Sequence, residues 1–374
     1  MPASEKNAPL LVVAGERSGD RIAARALSAL RDGEEASAFG LGGDALAALG
    51  VELVAHVRDL AAIGVGPVAA RLAAWTSAWV RLREEIARRR PRAALLVDAP
   101  DVNLPLARIL TEQGVAVLQY VGPQIWAWRR RRLRLLASRT RHVALVLPFE
   151  KPLYDAAGVR ASYVGHPLLD EPAPAPRAAT RLGLGFGPGE PLVALLPGSR
   201  RGEISAHTAP LSEAARILSR HGVRAAFVPA QGSASSAELE IARGSGCIVP
   251  GCAFDVRDVL AASDAALVAS GTATLEAALL GVPLAVVYRL GFASRTLARA
   301  LVDAPYVGLP NWVAGRRVVP ELLGVVEGES LARTALALLD PEAAASMRRA
   351  FDGIRAVLGP PGAARRVAKL LREL

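Results

Sequence analysis

The chemistry this sequence offers rests on one aspartate at a strand end and three small-residue turns. Asp98 closes the apolar run Ala93–Val97 and opens Asp98-Ala99-Pro100-Asp101. Active-site loops leave an open parallel sheet at that end of its strands. A carboxylate there is placed to take a proton from an attacking hydroxyl, although an aspartate that merely shapes a turn before proline fits equally well. Asp98 and Asp101 are separated by two residues, which is not an Asp-x-Asp metal pair, and no His/Cys spacing suits zinc. Neither a metal nor a cofactor is expected. His166, in Val164-Gly165-His166-Pro167, ranks below Asp98, since a lone histidine is more often structural.

The three turns differ in what they suit. Gly15-Glu16-Arg17-Ser18-Gly19-Asp20 lacks the Lys-Ser/Thr ending of a nucleotide P-loop and the three-glycine dinucleotide spacing. It reads equally as a ligand loop and as a turn in which Ser18 or Asp20 caps a helix from about Arg21. Pro197-Gly198-Ser199-Arg200-Arg201-Gly202-Glu203-Ile204 follows a strand and opens a helix. Free N–H groups and the positive helix end there favour an anion, and a guanidinium adds a bidentate phosphate contact. A capped helix with solvated arginines is the plainer alternative. Ala269-Ser270-Gly271-Thr272-Ala273-Thr274-Leu275-Glu276 brings small residues to another helix start, where a phosphate can approach the backbone. Glu276 is placed to accept hydrogen bonds from sugar hydroxyls, though acidic residues favour first turns in any case.

These turns need elements to hold them. Short apolar runs at Leu10–Ala14, Ala93–Val97, Val115–Tyr120 and His142–Leu147 alternate with helical stretches, and the pattern restarts at Leu192–Leu196, Ala225–Pro229, Ala265–Ala269 and Leu284–Tyr288. Such alternation reads as α/β, with parallel sheets wrapped by helices. The 374 residues exceed the usual span of one domain. We expect two doubly wound, Rossmann-like domains facing a cleft: residues 1–170, a stiff Pro-rich linker at 171–177, residues 178–340, and a helical tail at 341–374 packing back on the first domain.

Charge and aromatic patterning bear on partners. Net charge is +10, and of 45 basic side chains only Lys6, Lys151 and Lys369 are lysines. That arginine bias looks compositional, so clusters matter more than the total. Val68, Leu72, Trp75, Trp79, Leu82 and Ile86 recur at helical spacing, flanked by Arg71, Arg81, Arg83 and Arg88–Arg90. A core face is the plain reading of that stripe. Trp126-Ala127-Trp128 runs into Arg129–Arg134, where five of six residues are basic. Tryptophan beside arginine suits an anionic membrane surface. Nucleic acid is the rival partner, but no recognition motif supports it. No apolar stretch of about 20 residues marks a membrane span, and no leader is evident. Cys247 and Cys252 make no disulfide framework, which fits a reducing, cytoplasmic setting.

Taken together, Ala14–Asp20, Asp98–Asn103, Tyr120–Arg129, Leu147–Tyr154, Val164–Pro167, Leu195–Ile204, Ala269–Pro283 and Leu309–Leu322 resemble the lipid-A-disaccharide synthase family, in that family's order. Trp126–Arg129, Pro197–Arg200, Ser270–Glu276 and Leu309-Pro310-Asn311 are specific in combination. The resemblance implies a GT-B glycosyltransferase that joins UDP-2,3-diacylglucosamine to 2,3-diacylglucosamine 1-phosphate (lipid X), giving a β-1′,6-linked disaccharide and UDP. It implies Asp98 as base. It puts Ser199, Arg200, Gly271, Thr272, Glu276 and Asn311 in the UDP site, and Glu16, Ser18 and Gly19 on the substrate cleft. It implies a cytoplasmic enzyme held peripherally at the anionic inner-membrane surface, with no nucleic-acid partner, and leaves homo-oligomerisation open. Arg17, Gly122, Gln124 and the region Ala61–Pro67 depart from the family pattern, on the acceptor side. Another GT-B enzyme, such as the peptidoglycan N-acetylglucosaminyltransferase, a UDP-sugar epimerase, or a non-catalytic lipid or nucleic-acid binder are the alternatives.

Overall fold

Strands of five or so apolar residues, too short to be stable alone, find their partners in two parallel sheets. In the computed structural model the described residues are 8–31, 37–62, 68–123, 132–187, 189–251, 254–289, 305–324 and 326–374, with the side chains of 60–62 and 68–74 excluded. The first sheet holds β1 (Leu10–Ala14), β2 (Ala38–Gly42), β3 (Glu52–His56), β4 (Ala93–Val97), β5 (Ala116–Tyr120), β6 (His142–Leu145) and β7 (Ala161–Tyr163). Their order is β3-β2-β1-β4-β5-β6-β7. The second holds β8 (Leu192–Leu196), β9 (Arg224–Phe227), β10 (Ala265–Ala269), β11 (Leu284–Tyr288) and β12 (Glu321–Leu323), ordered β12-β11-β10-β8-β9. Every residue of β1, β4, β8 and β10 is buried. A parallel sheet covered on both faces demands this, which is why these strands read as unbroken apolar runs.

The chain divides into residues 1–170 with 360–374, and residues 171–359. The expected C-terminal tail is therefore split. The helix Pro341–Leu358 belongs to the second unit, where Arg355 donates to the Leu279 carbonyl. The helix Ala363–Arg372 returns to the first unit. There Asp170 accepts from the N–H groups of Gly362 (2.5 Å) and Ala364 (2.9 Å), and Arg366 donates to the Val164 carbonyl. Nor is the Pro-rich segment a free spacer. Asp258 accepts from the Ala175 N–H (2.7 Å), and Arg177 pairs with Asp264.

The core of the first unit gathers Leu11, Val13, Phe39, Leu96, Leu106 and Val117 with Leu82 and Ile86. Trp79 packs against this cluster. The second half of the tryptophan-bearing stripe on the helix Val68–Arg89 is thus a core face, and the side chains of Val68 and Leu72 lie outside the described residues. Among the described residues no helix is long and apolar enough to cross a membrane.

Candidate active site

In each sheet the strand order reverses once, and loops leaving the C-terminal ends of the two strands at a reversal diverge to form a crevice. In the first sheet the reversal lies between β1 and β4, in the second between β8 and β10. The Gly15–Asp20 turn follows β1 and Asp98 follows β4. The Gly198–Arg200 and Ser270–Gly271 turns follow β8 and β10.

At the first reversal, Ala14 pairs with Val97 in register, so the two loops emerge side by side. A side chain at Gly15 would lie 2.6 Å from the Ala99 methyl, and only a glycine admits so close an approach. Asp98 and Ala99 both adopt left-handed backbone, with φ of 50° and 38°, and Val121 just after β5 does so with φ of 66°. Aspartate tolerates this region, whereas alanine and especially a β-branched valine each incur about 1–2 kcal/mol. Pro100 adds to the constraint by barring Ala99 from the right-handed helical well. Strain of this kind persists only where surrounding bonds hold it. Here the Asp98 N–H donates to the Tyr120 carbonyl (2.9 Å), and two buried carboxamides reach the Asp98 carbonyl: Asn103 Nδ2 at 2.6 Å and Gln119 Nε2 at 3.2 Å. Asp98 itself is half-buried.

Glu16, Arg17 and Ser18 are exposed beside this turn, while Gly19 and Asp20 are buried. The helix starts at Arg17, earlier than expected, so Asp20 lies within its first turn rather than capping it. Its carboxylate instead accepts from the N–H groups of Gly43 (2.6 Å), Ala45 (2.9 Å) and Leu46 (3.3 Å), capping the helix Asp44–Ala48. Gly122 has no room for a side chain, since a Cβ would meet the Tyr154 hydroxyl at 2.4 Å. Gln124 and the segment 63–67 lie outside the described residues. His166 is buried, accepts from the Leu168 N–H at Nδ1 (3.2 Å), and is held by burial to a pKa of about 4.

In the β8 turn two N–H groups are already engaged. Glu203 Oε2 accepts from Ser199 N (3.2 Å) and Arg200 N (3.3 Å). A carboxylate three residues into a helix that reaches back in this way is half of a capping box. Gly198, at φ of 115°, leaves the room, since a Cβ there would sit 2.5 Å from that carboxylate. The Arg200 guanidinium, 3.6 Å from Glu203, remains largely exposed, as does Ser199. Buried His207 ties this turn to the end of β11. Its Nδ1 donates to the Pro197 carbonyl (2.8 Å), and its Nε2 accepts from the Arg289 N–H (3.0 Å). Burial holds its pKa down, which keeps Nε2 an acceptor.

Gly271 and Thr272 are exposed at the start of the helix Thr272–Leu279, which no side chain caps. Ser270 Oγ donates to the Val307 carbonyl (3.1 Å). Glu276 is just over one turn further in than Thr272 and meets Arg257 Nη1 at 3.1 Å in a largely buried pair. Asn311 does not reach the surface. Its Oδ1 accepts from the N–H groups of Val318 (2.7 Å) and Val319 (2.9 Å), and its Nδ2 donates to the Val319 carbonyl (3.0 Å) and Glu321 Oε1 (2.8 Å). Those four bonds are all a carboxamide can make, so Asn311 has none left for a nucleotide. Glu321 in turn accepts from Val307 and Gly308, so Asn311 shapes the loop that Ser270 touches. With these partners the Asn311 side chain supports the loop from inside. Arg257, Glu203, His207 and Glu321 were missed by sequence reasoning; only the Arg200-to-Glu203 spacing carried a signal.

This arrangement coincides with a family match spanning both reversals. The lipid-A-disaccharide synthetase model matches residues 10–352. The chain belongs to that family. The lipid-A-disaccharide synthase of Syntrophus aciditrophicus is 40% identical over 372 residues, covering 98% of this chain and 97% of that protein. The Myxococcus xanthus enzyme of the same name is 42% identical over 373 residues, again covering 98% and 97%. Among solved structures, a Neisseria meningitidis UDP-GlcNAc 2-epimerase bound to UDP-GlcNAc superposes with a TM-score of 0.69 over 98% of this chain and all of that one, at 13% identity. The epimerase likeness therefore describes the fold, two Rossmann-like domains of the GT-B kind, and the family sets the chemistry. This lipid-A-disaccharide synthetase family member is an enzyme, a glycosyltransferase of lipid A disaccharide formation.

The basic surface is partly spoken for. Arg132 pairs with Asp101, Arg89 with Glu52 and Glu85, and Arg88 with Glu85, while Arg81, Arg83 and Arg134 are exposed. Trp126, Trp128 and Arg129–Arg131 lie outside the described residues.

Proposed function

We propose that the protein transfers a 2,3-diacylglucosaminyl group from UDP to the 6-hydroxyl of 2,3-diacylglucosamine 1-phosphate, with inversion and with Asp98 as general base. The carrying observation is the half-buried Asp98 at the β1/β4 reversal, its main chain locked in a left-handed turn. The donor is α-linked and the product β-linked, so one in-line displacement suffices. The acceptor O6 forms a bond to the anomeric carbon as the bond from that carbon to the diphosphate oxygen breaks. The O6 proton passes to the Asp98 carboxylate, and the electron pair leaves with UDP.

The leaving diphosphate gains negative charge, which fixed positive groups stabilise more in the transition state than before it. The second unit supplies an exposed guanidinium at Arg200 and the uncapped helix start at Gly271-Thr272. Glu276, steadied by Arg257, suits the ribose hydroxyls. Glu16, Ser18 and Gly19 belong with Asp98 on the acceptor side. The exposed arginines of the first unit, together with the Arg129–Arg134 run, suit contact with an anionic bilayer surface that presents both lipid substrates.

Asp98→Asn tests the base. Loss of a general base lowers the chemical step by about 10²–10⁴-fold, and UDP affinity by calorimetry stays at the wild-type value. UDP release near the wild-type rate, with both lipid substrates supplied, removes Asp98 from the reaction.

A further inference from the structure

Three non-glycine residues at the ends of two adjacent strands, Asp98 and Ala99 after β4 and Val121 after β5, hold left-handed backbone. One buried side chain bonds both strand ends. Gln119 Nε2 lies 3.2 Å from the Asp98 carbonyl, 3.2 Å from that of Val121 and 3.4 Å from that of Tyr120. A second, Asn103 Nδ2, lies 2.6 Å from the Asp98 carbonyl and 3.1 Å from that of Val97. Both contacts fix the carboxamide orientation, because only an N–H donor can sit among carbonyl oxygens. Asn103 Oδ1 is buried with no hydrogen-bond partner among the described residues. A buried acceptor left without a partner is costly. A residue chosen only to satisfy packing would not carry that oxygen. The donor end is what the site requires.

We propose that Asn103 and Gln119 are positioning residues: their amide donors converge on the Asp98 carbonyl and hold the Asp98–Ala99 turn in the conformation that aims the carboxylate at the acceptor hydroxyl. The inference rests on the reading of Asp98 as the general base. Neither side chain needs to touch substrate. The Asp98 carbonyl receives two charge-neutral donors from two different elements further along the chain, one from the helix Pro100–Glu112 and one from β5. With the Tyr120 carbonyl accepting the Asp98 N–H, the peptide groups on both sides of the Asp98 α-carbon are fixed. Removing the clamp lets the turn relax toward ordinary backbone, which displaces the carboxylate and leaves the second unit unchanged.

The test is a mutant cycle with Asp98. Asn103→Ala lowers kcat by about 10- to 100-fold, the effect of misplacing a reacting group by about 1 Å. KM for both lipid substrates and UDP affinity stay within about twofold, because ground-state binding is untouched. In an Asp98→Asn background the same substitution causes no further loss, since a positioning residue has nothing left to position. Gln119→Met keeps the volume and removes the donor. It carries the same cycle should Asn103→Ala fail to fold, as judged by its unfolding midpoint. Equal losses in both backgrounds, or unchanged kcat in the folded single variant, overturn the clamp while leaving the base in place. A fast Asp98→Asn enzyme has a separate signature, in which the base itself fails and the clamp with it.

Discussion

Asn311 offers a sharp separation between holding a site and touching a ligand. Its carboxamide makes four hydrogen bonds, all within the protein, and it has no exposed surface. Asn311→Ala strands the N–H groups of Val318 and Val319 and removes one of the donors that reach Glu321. A stranded buried polar group costs about 1–3 kcal/mol, so the substitution destabilises the second unit by about 3–5 kcal/mol. For a unit of this size that lowers the thermal midpoint by roughly 10 °C. Trp312 is half-buried, and its indole N–H donates to the Tyr306 carbonyl at 2.9 Å, so its fluorescence reports this region. Urea unfolding followed by that fluorescence gives the stability, and calorimetry well below the transition gives UDP affinity. Stability should fall by the full amount and UDP affinity by much less. A variant of unchanged stability that loses UDP binding would mean that Asn311 leaves its internal partners to meet the nucleotide, and the scaffold argument fails.

Arg200→Ala should weaken UDP binding and slow turnover together, since a diphosphate contact acts in both ground and transition states, whereas Glu276→Ala should chiefly weaken binding. Unchanged UDP affinity in both variants by calorimetry would contradict the donor-site assignment. His166 titrates near 4 when folded, against about 6.5 when unfolded. Its contribution is therefore whole above pH 6.5 and is lost as pH falls toward 4, a total on the order of 3 kcal/mol. His166→Asn keeps an acceptor for the Leu168 N–H and should flatten that acid-side loss in urea unfolding; an identical pH dependence in the two proteins would show that His166 is not its source. The protein should sediment with vesicles containing anionic lipid and less with neutral ones, more weakly as salt rises and exposed charges are screened beyond about 8 Å. Arg129–Arg132 replaced by glutamine should reduce sedimentation markedly, at about 1 kcal/mol per basic residue, and indifference to lipid charge and salt would leave the run a solvated or internally paired face.

How much of this was legible depends on how local its cause is. The strands were legible because β1, β4, β8 and β10 are buried on both faces and so are apolar throughout. Asp98 was legible as a strand-end carboxylate. That its backbone is left-handed was not, because the bonds holding it come from Gln119, 21 residues away, and from Asn103. Periodicity marked the tryptophan-bearing stripe as one face, but what covers a face is a tertiary fact, and Leu82 and Ile86 turn out to meet the core. Asp20 was one of two candidate local caps in a turn that read equally as a ligand loop, and its partners Gly43, Ala45 and Leu46 lie at a helix start more than twenty residues on. For Asn311, family resemblance marks a residue that matters. Only its four bonds distinguish a ligand contact from a scaffold.

The β8 turn shows why that distinction changes the chemistry assigned to a loop. A glycine-led turn at a helix start reads as an anion site because its N–H groups are assumed to await a ligand. Here Glu203 already holds those of Ser199 and Arg200. An incoming diphosphate must either displace a carboxylate, exchanging one anion for another at the same two donors, or bind elsewhere on the unit. Displacement forfeits two charge-assisted bonds and leaves Glu203 beside the phosphate as a like charge, so it gains little. The second route leaves Glu203 in place as an acceptor that orders the turn, with the Arg200 guanidinium standing out from it. The helix start at Gly271-Thr272, which no side chain caps, then suits an anion. On the proposed reading the two turns divide the work of one phosphate loop, β8 presenting the exposed Arg200 guanidinium and β10 a helix start that no side chain caps. Because their strands are neighbours at the sheet's reversal, both turns leave the sheet at the same edge.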